Sequence, residues 1–295
     1  FTIEQIAGDM LPDATQAQRI ATGFHRNTMI NEEGGVDPEE DRVKAIVDRV
    51  STTATVWLGT TIACAQCHDH FFDPFTQREF FQLYAFYNNS KDRGGGMPST
   101  SLEPILYVLS PSQRTELRGI RSEIKDLGER QQERVEQLRK LEMALLNAAP
   151  KTLVMGERLE PRSTRVHIRG DFLHLGDEVK PDVPAILPPL SVGSRTGPSA
   201  NGLEKVQGDA GPSHSEDPKR RADRLDLAHW LVSCNNPLVG RVTMNRHWQR
   251  FFGNGFVATS NDFGIQSESP THLELLDWLA VEFMDTRWNI KQMHR

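Results

Sequence analysis

Two cysteines and a histidine in the segment Cys64-Ala65-Gln66-Cys67-His68 have the spacing of the motif that attaches a c-type haem. Cysteines three positions apart can form thioether bonds to the two vinyl groups of one porphyrin, and the histidine after them can bind the iron. The third and last cysteine is Cys234, so a zinc site with four thiolates is excluded. The motif therefore predicts haem c, with a redox dithiol, a disulfide or a mixed-ligand metal site as the alternatives.

Further donor groups follow the motif directly. Asp69, His70 and Asp73 add carboxylate and imidazole ligands to the loop that carries His68. Such a set suits zinc or non-haem iron, and an open coordination position would permit hydrolysis or oxidation, for example of an extracellular polysaccharide. The same aspartates could instead orient the imidazoles or form a turn before Pro74. A third alternative is a non-catalytic binding or scaffold module with a disulfide between the motif cysteines.

A haem iron bound by His68 needs a second axial ligand from elsewhere in the chain if it is to be six-coordinate. His70 is too close in sequence to reach the opposite face of the same porphyrin. Met97 lies in the glycine-rich stretch Gly94-Gly95-Gly96-Met97-Pro98, which could carry an axial thioether and so raise the reduction potential. Met29 and His25 are weaker candidates. Without any of them the iron would be five-coordinate.

The sequence predicts that the motif lies between two helices. Asp37-Pro38-Glu39-Glu40 combines a capping residue, an early proline and acidic side chains, as is typical of a helix start. One apolar stripe follows at helical spacing: Val43, Ile46, Val47, Val50, Ala54, Trp57 and Leu58. Residues 76–87 repeat the helical pattern with aromatic side chains. We therefore expect two helices to position the cysteine loop.

The remaining chain divides into three parts by pattern. Residues 109–150 have aliphatic residues at heptad spacing among dense charges, which predicts a coiled-coil spacer, either a hairpin or one long helix. Residues 151–223 carry short β-like pieces and then a loop rich in Gly, Ser and Pro. Residues 224–295 return to helices, the third of which is expected to start at Ser269-Pro270. With a cytochrome c-like helical module at 1–108, the prediction is a mainly α fold with a coiled-coil spacer, a small β-containing linker and a C-terminal helical domain.

Composition and motifs narrow the class of protein. The net charge of -6 and the lack of a large Lys/Arg cluster argue against a nucleic-acid partner, and no apolar run is long enough for a membrane span. Dinucleotide, phosphate-loop and nucleophile-elbow motifs are missing from the sequence. The chain starts at Phe1 and stops just after a helical pattern, so we expect an internal fragment of a longer protein.

Residues 41–89 resemble the planctomycete cytochrome C-like family in the acidic helix start, in the segment Cys64-Ala65-Gln66-Cys67-His68-Asp69-His70, in Phe72-Asp73-Pro74 and in the aromatic helix that follows. The second half resembles the companion C-terminal domain of that family in Asn245-Arg246-His247-Trp248 and Asn261-Asp262-Phe263-Gly264. Both are domains of unknown function, so the resemblance implies no reaction. It implies a periplasmic or extracellular location and a larger parent protein with a classical cytochrome c module upstream.

We therefore expect an extracytoplasmic module that binds haem c and transfers electrons, with that upstream cytochrome c module as its redox partner. Covalent haem attachment in bacteria also takes place outside the cytoplasm, which agrees with the implied location. The non-haem metalloenzyme and the binding or scaffold module remain the alternatives.

Overall fold

The protein is mainly α-helical in a computed structural model that describes residues 1–29, 31, 33, 35–92, 103–127, 131–192 and 220–295. These residues form ten α-helices and two antiparallel sheets of two strands each. The helices are α1 (Thr2–Ala7), α2 (Gln16–Ala21), α3 (Pro38–Thr53), α4 (Gln77–Tyr87), α5 (Pro111–Leu127), α6 (Gln132–Ala148), α7 (Arg224–Leu231), α8 (Pro237–Phe252), α9 (Leu273–Asp285) and α10 (Ile290–Met293). The strands are β1 (Ile105–Tyr107), β2 (Lys151–Leu153), β3 (Thr164–His167) and β4 (Leu175–Val179).

Helices α3 and α4 form the core around the cysteine loop, as the sequence predicts. The Asp37 carboxylate caps α3 by accepting the N–H groups of Glu39 and Glu40. Thr76 caps α4 in a reciprocal arrangement with Glu79. The apolar face of α3 and the aromatic face of α4 are buried against each other, which removes most of their hydrophobic surface from water.

The C-terminal end of α3 changes its winding just before the motif. Residues Ala54–Leu58 form a π-helical turn, and Gly59 ends it in the left-handed conformation with φ 59°. Such turns occur frequently at functional sites. A short 3-10 helix, Ile62–Gln66, follows at once and carries the first cysteine.

The predicted spacer is a hairpin of α5 and α6 and not one long helix. Ion pairs join Arg121 to Glu142 and Arg134 to Glu123, a pairing that requires the two helices to run antiparallel. Strands β1 and β2 pair at the base of this hairpin, with Leu106 opposite Thr152. The helical hairpin is therefore inserted in the chain between two paired strands.

Strands β3 and β4 form a second hairpin, which packs on α4 beside the motif. His167 at the end of β3 contacts the rings of Phe81 and Tyr84, at centroid distances of 4.7 and 5.6 Å. The connection between the strands begins at Ile168–Gly170, where Arg169 and Gly170 both have positive φ. This connection reaches the cysteine loop, as described below.

Helices α7 to α10 make up the C-terminal helical part. The third of these helices, α9, starts at Leu273, later than the expected start at Ser269-Pro270, because the N–H of Thr271 donates to the carbonyl of Phe256 and holds the preceding residues outside the helix. Among the residues described above, no helix has the length and apolar character that crossing a bilayer requires.

Candidate functional site

The two motif cysteines lie on and just after the 3-10 helix Ile62–Gln66. Ile62 and Ala65 are buried and anchor this turn against α3 and α4. The thiols of Cys64 and Cys67 are free and exposed. Buried anchors that alternate with exposed thiols present both sulfur atoms to solvent, where a bulky group can reach them.

His68 is exposed, and one hydrogen bond fixes the state of its ring. Its Nδ1 lies 2.6 Å from the carbonyl oxygen of Asp69. Because a carbonyl can only accept, Nδ1 must carry the hydrogen and donate it. In the neutral ring Nε2 is then unprotonated and has a free lone pair. Histidines that bind metals commonly donate their second ring nitrogen to a backbone carbonyl in this way.

His70 has the opposite arrangement. Its side chain is 5% exposed, and its Nδ1 accepts the N–H groups of Asp73 at 2.8 Å and Phe72 at 3.3 Å. The neutral ring therefore carries its hydrogen on Nε2. The backbone N–H of His70 also donates to the carbonyl of Phe75 at 2.7 Å. His70 thus closes the turn that follows the motif.

The two aspartates of the loop accept backbone N–H groups. Asp69 Oδ1 accepts from the N–H of Gln77 at 2.8 Å, in the first turn of α4. Asp73 is buried, and its Oδ1 accepts from the N–H of Ile265 at 2.7 Å. Both carboxylates therefore hold the loop to neighbouring segments, and these hydrogen bonds go to backbone N–H groups and not to an imidazole.

The motif is tied to the β3–β4 hairpin by two further contacts. The amide of Gln77 donates to the carbonyl of Gln66 at 2.9 Å and to that of His167 at 3.0 Å. Gly170 lies so close to the motif that a Cβ there would stand 2.6 Å from the sulfur of Cys67. These residues were missed at the sequence level, because nothing in a lone glutamine or glycine indicates which distant loop it contacts.

The structure does not bring the predicted non-haem ligands together. Within the ranges described above, no three His, Cys, Asp or Glu side chains form a group that could hold a metal ion. His68, His70, Asp69 and Asp73 all hydrogen-bond to backbone groups instead. The compact metal site stays a prediction to which this geometry gives no support.

The three candidates for a distal iron ligand differ in their location and exposure. Met97 lies outside the described residues. Met29 is 96% exposed. His25 is buried in the core, where it contacts the rings of Phe24, Trp57 and Tyr87, so its imidazole cannot reach a group bound at the exposed cysteines. The position of His25 gives no support to its role as an axial ligand.

His25 belongs to a buried polar network beneath the motif helices. Its Nε2 lies 3.3 Å from the hydroxyl of Tyr87, and its carbonyl accepts from Nε of Arg49 at 2.8 Å. Burial, and then the charges of Arg49 and Arg224, hold the pKa of His25 well below its usual value. Burial raises the pKa of Tyr87 to about 12. Both side chains are therefore neutral at physiological pH.

Two family models match the chain. Residues 1–92 match PSCyt2, a protein of unknown function (DUF1549), and residues 223–295 match PSD1, a protein of unknown function (DUF1553). The resemblance to the planctomycete cytochrome-like and C-terminal domain families is thus confirmed at both ends of the chain. No curated protein and no solved structure matches the chain. The PSCyt2 match contains the whole cysteine motif, and the PSD1 match contains Ile265, which bonds to Asp73.

Proposed function

We propose that the chain is a c-type haem-binding, electron-transfer module that works outside the cytoplasm. Cys64 and Cys67 would attach the haem, and His68 would bind its iron through Nε2. The single observation that carries this proposal is the combination of two exposed free thiols with a histidine whose Nδ1–H is held by a carbonyl. When bound, haem would supply one-electron transfer at its iron.

The chemistry of attachment is balanced without an oxidant. Each thiol would add across one vinyl group, so that a carbon–sulfur bond would form and the thiol hydrogen would move to the neighbouring vinyl carbon. The residues of the chain supply the two sulfur atoms on one face of a turn and a ring nitrogen with a free lone pair. The two thiols are free, and His68 uses Nδ1 and not Nε2 in its hydrogen bond to Asp69.

Exposed apolar side chains near the motif support a flat hydrophobic ligand. Phe71 and Phe72 lie three and four residues after His68 and are 82% and 46% exposed. Ile168 and Leu173 are also exposed, on the connection that brings Gly170 against Cys67. Apolar surface of this kind is costly in water and suits contact with a porphyrin.

The partner we propose is a cytochrome c module of the same parent protein, placed upstream of this chain. The rival proposals are a non-haem metalloenzyme with zinc or iron, acting for example on polysaccharide, and a scaffold module with a Cys64–Cys67 disulfide. The metalloenzyme has less support, because His70 Nδ1 is occupied by two backbone N–H groups.

The test is expression of the chain with periplasmic c-haem maturation, followed by a pyridine haemochrome spectrum, mass measurement after denaturation and metal analysis of one sample. We expect the mass of one haem to survive denaturation. The double variant Cys64→Ser, Cys67→Ser should lose it, and the matched control Cys234→Ser should keep it. His68→Ala should keep the covalent mass and the pyridine haemochrome spectrum, but its absorption spectrum without pyridine should lose the features of a histidine-bound iron.

Apo mass together with stoichiometric zinc or non-haem iron in protein from the native host would contradict the haem proposal and favour the metalloenzyme. Apo mass reduced by two hydrogens, without metal, would favour the disulfide-bearing scaffold.

A further inference from the structure

We propose that residues 261–265, within the C-terminal match, are a positioning element for the cysteine motif, so that both matched regions build one site. This inference goes beyond haem binding, because it concerns the shape of the loop at residues 59–73 whether or not haem is attached. It rests on contacts at both ends of that loop and on one arginine that links them to the end of α3.

The first contact lies at the start of the loop. The N–H of Phe263 donates to the carbonyl of Gly59 at 2.7 Å. Gly59 has φ 59°, and a Cβ there would stand 2.7 Å from a methyl carbon of Val242 and 2.9 Å from the ring of Phe263. A glycine in this conformation allows the backbone of the loop to touch the C-terminal part directly.

The second contact lies at the end of the loop. The buried carboxylate of Asp73 accepts the N–H of Ile265 at 2.7 Å. Gly264 leaves no room between the two segments, since a Cβ on it would overlap both oxygens of Asp73. The two ends of the loop are therefore held on one stretch of five residues.

Arg246 joins this stretch to the π-helical turn before the loop. Its guanidinium donates to the carbonyl of Val56 at 2.5 Å, to that of Thr55 at 2.7 Å and to the side-chain oxygen of Asn261 at 3.0 Å. The carbonyls that a π-turn leaves without regular helical partners are thus satisfied from α8. A hydrogen bond within the stretch stabilises it, because the N–H of Gly264 donates to Oδ1 of Asp262 at 2.9 Å.

The consequence is that the geometry of the motif depends on the C-terminal part. A loop whose two ends are both held by one segment has few ways to move its middle, and the exposed thiols lie in that middle. Disturbing residues 261–265 should therefore change how the two thiols are presented, without a substitution in the motif itself.

The experiment measures alkylation of the reduced, haem-free whole chain by iodoacetamide, with Cys234 as the internal reference. Gly264→Ala and Asp73→Leu should each change the Cys67-to-Cys64 rate ratio by about threefold or more, because thiol reactivity follows local exposure and environment. Asp73→Asn keeps an acceptor for Ile265 and should restore the ratio of the unaltered chain. Gly119→Ala is the matched control, since a Cβ there meets nothing within 4 Å.

A loss of global stability alone does not move this ratio in folded protein. An unchanged ratio in folded Gly264→Ala and Asp73→Leu would overturn the proposal, and so would a shift in Asp73→Asn equal to that in Asp73→Leu. Failure of haem attachment in all proteins would overturn the haem proposal and leave this one standing, because the thiol ratio needs no haem.

Amide exchange of the unaltered chain decides the matter if neither variant folds. The amides of Phe263 and Ile265 should exchange at rates close to those of His70 and Phe75, since bonds broken by one local opening exchange together. Exchange of the first pair faster by about tenfold or more would show that the stretch detaches independently, and the proposal would fall.

Discussion

Two histidines separated by one residue have opposite ring states because their partners differ. His68 donates from Nδ1 to a carbonyl, whereas His70 accepts at Nδ1 from two N–H groups. The first arrangement leaves Nε2 free to bind a metal, and the second uses the ring to close a turn. The sequence shows both as equivalent donors, and only the partners separate their roles.

Replacing His70 by Ala should therefore destabilise the fold and spare the attachment chemistry. The variant leaves the N–H of Asp73 without its acceptor in a partly buried place, which costs about 1–3 kcal/mol. Denaturant unfolding should show this loss, while the covalent haem mass and the haemochrome spectrum should stay unchanged. A drop in bound metal by orders of magnitude would instead favour the compact site.

His174→Ala is the matched control for that variant. Its ring is 72% exposed and pairs with Asp171 at 2.7 Å, and exposed pairs of this kind contribute little to stability. We expect it to change neither stability appreciably nor the haem content.

The buried His25 predicts a pH dependence of stability. Its pKa in the folded protein lies below the value of the unfolded chain, so the unfolded chain binds more protons as the pH falls below about 6.5. The contribution of neutral His25 to the free energy of unfolding should therefore be fully present above that pH and decrease below it. The pKa values of His167 and His247 are also lowered, chiefly by burial, and add to the decrease.

His25→Gln should reduce the slope of unfolding free energy against pH, between about pH 6.5 and 5, by about one proton. Tyr87→Phe is the control, because it removes the hydroxyl partner of His25 and keeps the titrating ring. Urea unfolding at several pH values measures both slopes. Equal slopes in His25→Gln and the unaltered chain would contradict the assignment.

At the scale of elements, the hairpin of α5 and α6 is held to α2 at its base. Gln16 of α2 exchanges two hydrogen bonds with the backbone of Leu109 at that base, both at 3.1 Å. Farther out, the two helices are joined by ion pairs between exposed or half-buried side chains. The hairpin is therefore expected to tolerate shortening.

Removing the outer heptad of each helix, residues 121–127 and 132–138, should leave the cysteine site unchanged. The deletion takes whole turns from both sides and keeps Leu117 and the β1–β2 pairing at the base. The Cys67-to-Cys64 alkylation ratio and the haem mass should equal those of the full chain. A changed ratio in folded protein would mean that the hairpin packs on the site.

Local elements were predictable because their signals are local. The cap at Asp37, the capping box at Thr76 and the aromatic face of α4 follow from residues within one or two helical turns, and the structure has each of them. The π-helical turn was not predicted, since its carbonyls are satisfied by Arg246 from far along the chain. The contact of Asp73 with Ile265 was not predictable for the same reason, since the partner is a distant backbone N–H that no side-chain type indicates.

At the scale of the whole molecule, the two matched regions are joined by buried polar contacts as well as by apolar packing. Arg224, at the start of α7, has no exposed side-chain surface and donates to the carbonyl of Ile6 at 2.6 Å. It also pairs with Asp9 at 2.8 Å and with Glu157 at 2.5 Å. Burial opposes the charge, but the two carboxylates raise the pKa of Arg224 above its usual value. One side chain therefore links the first helix, the segment after β2 and the C-terminal part.

Arg224→Met should be among the most destabilising substitutions of a charged residue in this chain. It removes the cation and leaves two carboxylates at 12% and 18% exposure without their partner, and breaking a buried pair in this way costs about 3–5 kcal/mol. Arg241→Met is the matched control, because the pair of Arg241 with Asp277 is 33% and 38% exposed and contributes about 0–1 kcal/mol. Guanidinium chloride unfolding of both variants measures the difference. Equal stability of the two variants would contradict this account of how the ends of the chain are joined. Since Arg224 holds α7 to α1, we also expect its loss to increase amide exchange in both helices together.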